Sequence, residues 1–189
     1  MKNIAVFASG NGTNAERIAV YFAQNPNISV RIILTNNPNA FVIERAKKLN
    51  LPVYVFNRDT FYQTEEVLQP LRNYQTDLIV LAGFMWLVPG YLIHAYPGRI
   101  INIHPALLPK YGGKGMYGHH VHEAVLKNRE KVSGITIHFV NEKYDDGQII
   151  FQKELSVMKN DTPDTLASRI HKLEYKYYPK VIERLLKDS

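Results

Sequence analysis

Short apolar runs alternate with helix-like polar segments over the first hundred residues, and this alternation limits the fold more than any other feature. The runs are NIAVFAS (3–9), ISVRIILTN (28–36), LPVYVF (51–56), DLIVLAGF (77–84) and RIINIH (99–104). They are short, and ISVRIILTN is rich in β-branched residues, so they read as strands. Between them NAERIAVYFAQN (14–25), AFVIERAKKLN (40–50) and TFYQTEEVLQPLRNY (60–74) read as helices. A chain that alternates in this way builds an α/β fold: a mostly parallel central sheet with helices on its faces.

After residue 118 the pattern changes. HHVHEAVLKN reads as a helix, and VSGITIHFV, the turn NEKYDDG and QIIFQKELSV read as two adjacent antiparallel strands. A long C-terminal helix starts after Thr162, with Pro163 at a favoured early position, and runs to the end of the chain, with Pro179 kinking or dividing it. At 189 residues the expectation is one domain, 1–189, with a sizeable core.

Open parallel sheets bind ligands in the crevice beyond the carboxyl ends of their strands. Residues 9–14, 82–88 and 102–109 all follow strands, so three separate loops point to one cleft. The first, SGNGTN, joins a strand to a helix, where backbone N–H groups and the helix dipole bind phosphate. Gly10 and Gly12 permit the turn, and Thr13 and Asn14 add donors. With Ala15 the loop is a relaxed G-x-G-x-x-A, but the second strand ends in LTNNPN, without the acid that holds an adenosine ribose, and no G-x-x-x-x-G-K-[ST] occurs. A phosphomonoester or similar anion fits best; a purely structural turn is the alternative.

In RIINIH, alternation places Asn102 and His104 on one side of the strand and Ile101 and Ile103 on the other. A histidine beside a core strand is often only a satisfied structural group. Paired with an amide at a strand end, it can instead polarise a carbonyl, hold an oxyanion and move protons near neutral pH. The YDDG turn offers Asp145 or Asp146 as a carboxylate that raises the histidine's pKa, although Asp-Gly is also ordinary hairpin chemistry. His119, His120, His122 and Glu123 lack the H-E-x-x-H spacing and any cysteine partner, so they read as a polar helix start and no metal is expected. His138 reads as packing or as support for its neighbours. Met85 and Trp86 belong either to the core or to the wall of a site for a flat heterocycle. The glycines of YGGKGMYG, 111–118, suit a mobile flap or a plain flexible loop.

The net charge of +6 comes from scattered Lys and Arg with no dense run, which argues against nucleic acid and for a solvated basic surface or small anionic substrates. The chain has no cysteine, which excludes disulfides and thiolate catalysis and suits a reducing compartment. Neither a signal sequence nor a membrane-length apolar run is evident, so the expected location is cytoplasmic and away from membranes.

SGNGTN, LAGFMWLV, INIHPALLPKY, VSGITIHFV and YDDGQII, in this order, closely resemble the glycinamide ribonucleotide formyltransferases of de novo purine biosynthesis along essentially the whole chain. The resemblance implies a Rossmann-like formyltransferase fold and direct transfer of a formyl group from 10-formyltetrahydrofolate, as co-substrate, to the amine of 5-phosphoribosylglycinamide. It implies Asn102, His104 and Asp145 as the catalytic set, with Asp145 rather than Asp146 as the match. It implies Gly12, Thr13 and Asn14, with His171, Lys172, Leu173 and Glu174, as the ribonucleotide-binding segments, Glu174 being the contact. For the folate it implies Met85, Trp86, Leu87 and Val88, together with Asn102, Asn141, Glu142, Lys143, Tyr144 and Asp145. A monomer or weak homodimer is expected.

There are departures from the pattern. Thr64 stands where an arginine often contacts the folate, Ala106 replaces a common serine, Trp86 stands at a frequent arginine or lysine, Asp146 replaces a small residue, and the flap is several residues longer than in many members. Methionyl-tRNA formyltransferase and formyltetrahydrofolate deformylase carry the same Asn, His and Asp set, but each normally has a further domain for which this chain leaves no room. A non-catalytic nucleotide- or anion-binding domain is the reading from another class.

Overall fold

The structure, a computed structural model, describes residues 1–188. All five apolar runs form strands: β1 (Lys2–Phe7), β2 (Ile28–Thr35), β3 (Val53–Val55), β4 (Leu78–Leu81) and β5 (Ile100–His104). They pair in parallel, with β1 between β2 and β4. β6 (Val132–Phe139) and β7 (Ile149–Ser156) then add antiparallel to β5, giving one seven-stranded sheet in the order β3-β2-β1-β4-β5-β6-β7. The chain leaves β1 toward one edge and returns to the other side of β1 with β4, so the switch point of the sheet lies between these strands.

Alternation along the strands builds two cores. On one face Ile4, Val6, Val80, Ile101, Ile103, Ile135 and Ile137 pack against Ile18 and Phe22 of α1 (Thr13–Phe22), Val42 of α2 (Val42–Lys48), Val125 of α6 (His119–Lys127) and Ile170, Tyr178 and Ile182 of α7 (Pro163–Lys187). On the other face Phe7, Leu34, Ile79, Leu81 and Ile100 pack against Phe61 of α3 (Arg58–Tyr62), Leu71 of α4 (Leu68–Asn73) and Leu92 of α5 (Gly90–Ala95). Burying each such side chain contributes roughly 1.5–3 kcal/mol. Tyr178 is fully buried, and its hydroxyl donates to the carbonyls of Leu81 at 2.9 Å and Ile101 at 3.3 Å. This pins α7 against the last residue of β4 and the start of β5.

Three expectations are corrected. The segment 60–74 is two helices rather than one: a capping box between Asn57 and Thr60 starts α3, and the chain restarts at Leu68. A continuous helix would drive the Pro70 ring into the carbonyl of Glu66, whereas α4 places Pro70 in its first turn, where no N–H is needed. Helix α5 was not expected; at six residues it is too short to show a helical period. Helix α7 begins at Pro163 behind a Thr162/Thr165 capping box, but Pro179 does not divide it. The expected run to the chain end reaches Ser189, which lies outside the described residues. Among the described residues no helix is long and apolar enough to cross a membrane.

Candidate active site

The expected convergence of three loops is observed. Residues 9–14, 81–88 and 102–105 line one cleft of about 880 Å³ at the carboxyl ends of β1, β4 and β5, closed on the far side by residues 113–119 and one face of α7. Ser9 fastens two of the loops together, donating its N–H to the Gly83 carbonyl (3.0 Å) and accepting the Met85 N–H on its hydroxyl (3.0 Å).

Gly12 makes the turn into α1 with a φ of 74°, left-handed backbone that suits glycine. A Cβ here would also overlap the Val42 side chain, because α2 packs tightly on this loop. The loop is further held by Arg45, which bonds Asn11 Oδ1 at 2.8 Å and pairs with Glu16. The result is a rigid helix N-terminus whose first-turn N–H groups face the cleft, the arrangement that binds anions.

On β5, Asn102 and His104 do share a face, and β6 presents His138 opposite Asn102 and Thr136 opposite His104. His104 is 3 % exposed. Its Nε2–H donates to the Tyr111 carbonyl at 2.7 Å, and its Nδ1 lies 3.4 Å from Asp145 Oδ2. Asp145 also accepts the Gly113 N–H at 2.9 Å, so one carboxylate joins the histidine to the flap. The Nδ1–H of His138 donates to the Phe139 carbonyl at 2.8 Å, and its Nε2 lies 3.2 Å from Asn102 Nδ2 and 3.6 Å from Asp145 Oδ1. Thus His138, read from sequence as packing or support, fixes the orientation of the Asn102 amide. Asp146 points away, toward Asn141 (3.2 Å) and Lys143 (3.9 Å).

The expected upward shift of His104 is not what the surroundings produce. Burial lowers its pKa by more than Asp145 and the Tyr111 carbonyl raise it, so the ring titrates below its ordinary value. Burial would also raise Asp145, but His138, His104 and the Gly113 N–H together hold that carboxyl below the usual range.

Of the residues expected at the ribonucleotide, Gly12, Thr13, Asn14, His171 and Glu174 line the cleft. Lys172 and Leu173 do not: Lys172 faces solvent and Leu173 packs on the core. Glu174 is 5 % exposed and accepts from Asn14 Nδ2 at 2.8 Å; burial pushes its carboxyl above the usual range, against the pull of Asn14 and His171. Of those expected at the folate, Met85, Trp86, Leu87, Val88, Asn102, Lys143, Tyr144 and Asp145 line the cleft. Asn141 and Glu142 stand outside it, Asn141 capping the Lys143 N–H and Glu142 lying 3.9 Å from His94. Thr64 is likewise outside, bonded to the Thr60 carbonyl. Trp86 joins an aromatic group with Phe56, Phe61, Tyr62 and Phe84.

His119 and His120 form the expected polar helix start, His119 between Glu123 (3.1 Å) and Asp164 (3.2 Å). His122 does not: it is 2 % exposed and lines the cleft. Ser9 and Phe84, within the two expected loops, and Lys114 of the flap also line it, as do Asp164 and Tyr175 of α7, which were not expected. Asp164, Ala167, His171 and Glu174 recur at helical spacing, which identifies the face of α7 turned to the cleft.

A cleft at the switch point, with an anion-binding helix end and a buried Asn/His/carboxylate set, fits a group-transfer enzyme. The formyl transferase family model matches residues 2–182, and the chain belongs to this family. The chain is similar to phosphoribosylglycinamide formyltransferase of Bacillus subtilis (strain 168), 42 % identical, over 98 % of this chain and 95 % of that one. It is equally similar, at 42 % identity over 96 % of its length, to the chloroplastic phosphoribosylglycinamide formyltransferase of Arabidopsis thaliana, of which it spans 64 %. Among solved structures, phosphoribosylglycinamide formyltransferase from Bacillus halodurans superposes with a TM-score of 0.86 at 40 % identity, covering 98 % of this chain and 95 % of that one.

Proposed function

We propose that the chain is a single-domain, cytoplasmic phosphoribosylglycinamide formyltransferase that carries a formyl group from 10-formyltetrahydrofolate to the amine of 5-phosphoribosylglycinamide in de novo purine synthesis, releasing tetrahydrofolate. The observation that carries this reading is the position of Asn102, His104 and Asp145. They lie in the same cleft as the α1 N-terminus, suited to a phosphate, and the Trp86 wall, suited to a flat heterocycle. The names of the relatives support the same reading.

In this proposal the glycinamide amine, neutral when it reacts, attacks the formyl carbon and negative charge grows on the formyl oxygen. Asn102 and His104 hold that oxygen. At rest the ring gives its Nε2–H to the Tyr111 carbonyl and turns Nδ1 to Asp145. The growing oxyanion, with Asp145, favours the imidazolium. Asp145 also orders the water that passes the amine proton to the departing folate nitrogen.

The test is acceptor dependence. Purified protein with both substrates is expected to yield formylated ribonucleotide and tetrahydrofolate in equal amounts; folate deformylation at the same rate without acceptor would replace the transferase reading with a hydrolase.

A further inference from the structure

Among the described residues, His122 is a buried polar side chain of the cleft that lacks a hydrogen-bond partner. It is the fourth residue of α6, 2 % exposed, and its Nδ1 is buried with no hydrogen-bond partner. Among the described residues no group bonds Nε2 either, while the ring lines the cleft. A neutral imidazole carries one donor and one acceptor, and leaving such groups unpaired away from water costs about 1–3 kcal/mol each. A position that only filled space would be better served by leucine. The neighbouring valines show this: Val121 and Val125 of the same helix are fully buried in apolar surroundings.

The surroundings indicate what completes the ring. The titratable neighbours that act on it most are His171 of α7, His119 of its own helix and His104 of β5. Burial presses its pKa down to about 4, and the neighbouring imidazoles push in the same direction. The ring therefore meets a ligand as a neutral donor and acceptor. Its neighbour His171 shares the cleft-facing side of α7 with Glu174, which bonds Asn14 beside the α1 N-terminus. His122 thus belongs to the half of the cleft opposite the Trp86 wall.

We infer that His122 binds the formyl acceptor directly, completing its hydrogen bonds with an oxygen of the acceptor's phosphoribosyl group. The inference rests on the proposed reaction and adds a recognition residue outside the segments 12–14 and 171–174. His122 takes no part in the chemistry, so its effect falls on binding of one substrate.

Steady-state kinetics and thermal melting of His122→Leu and His122→Gln near pH 7.5 test this. For His122→Leu the expected result is a KM for 5-phosphoribosylglycinamide raised about 5- to 20-fold, with the KM for 10-formyltetrahydrofolate and kcat within threefold of wild type. Because an unpaired buried polar group has been replaced, its melting temperature is expected to equal or exceed that of wild type. His122→Gln, which keeps a donor and an acceptor, is expected to recover most of the lost affinity. An unchanged acceptor KM in His122→Leu would overturn the inference. So would a fall in melting temperature or failure to fold, because the ring would then be held by the protein itself. Absence of formyl transfer by the wild-type enzyme would instead refute the reaction, and this inference with it.

Discussion

Asp145 places its Oδ2 3.4 Å from Nδ1 of His104, a ring only 3 % exposed. The carboxylate partly offsets a burial penalty that would otherwise press the imidazole still lower. It also holds the flap through the Gly113 N–H. Asp145→Asn keeps the shape and removes the charge, so His104 becomes harder to protonate as the oxyanion grows. The expected result is a fall in kcat on the order of a hundredfold or more with little change in the acceptor's KM, measured by steady-state kinetics.

Stability should fall with acid in a defined window. The unfolded-state pKa of histidine is about 6.5, while His122 in the folded chain is pressed to about 4. The unfolded state therefore takes up the proton first, and stability is lost as pH drops from about 6.5 toward 4, by up to about 3 kcal/mol from this ring. His104, also lowered, adds in the same direction. Melting curves between pH 7.5 and 4.5 should show this decline, and His122→Leu should flatten part of it.

Gly12→Ala should damage both folding and acceptor binding. The residue sits at a φ of 74° against Val42, so a methyl group meets both unfavourable backbone and a packed side chain. A loss of about 2 kcal/mol or more is expected by denaturant unfolding, with a raised KM for the acceptor. Gly10, which has open space where its Cβ would be, should accept alanine with far less loss of stability.

Thr162→Ala removes the cap of α7, whose oxygen accepts the Thr165 N–H at 3.2 Å. It is expected to cost about 1 kcal/mol and to lower the melting temperature by about 2–4 °C with little change in kcat, since Thr162 itself does not line the cleft.

Much of this molecule is legible in the sequence, for identifiable reasons. The parallel strands announce themselves because a sheet with helices on both faces demands short apolar runs, and the cleft follows from the ends of those runs. Asn102 and His104 stand out because polar groups interrupt an isoleucine strand. What escapes is whatever depends on packing between distant segments. The break before Leu68 and the short α5 leave no helical period to read. The direction of the His104 shift depends on how deeply the ring is buried, which residue types alone do not report. His122 looks like part of a polar helix start until α7 is seen to cover it. Lys172 and Leu173 share a segment with Glu174, yet helical geometry turns them off the cleft.

The central claim is that Asn102, His104 and Asp145 transfer a formyl group to an amine held beside the phosphate loop. The most direct measurement is the single-turnover rate of formylated ribonucleotide formation by the wild-type enzyme and by His104→Ala, with both substrates saturating and folding checked by melting. The account predicts acceptor-dependent product from the wild-type protein and a rate lower by about a hundredfold or more in the variant, corresponding to roughly 3 kcal/mol of transition-state stabilisation. A folded His104→Ala enzyme that forms product at nearly the wild-type rate would contradict it.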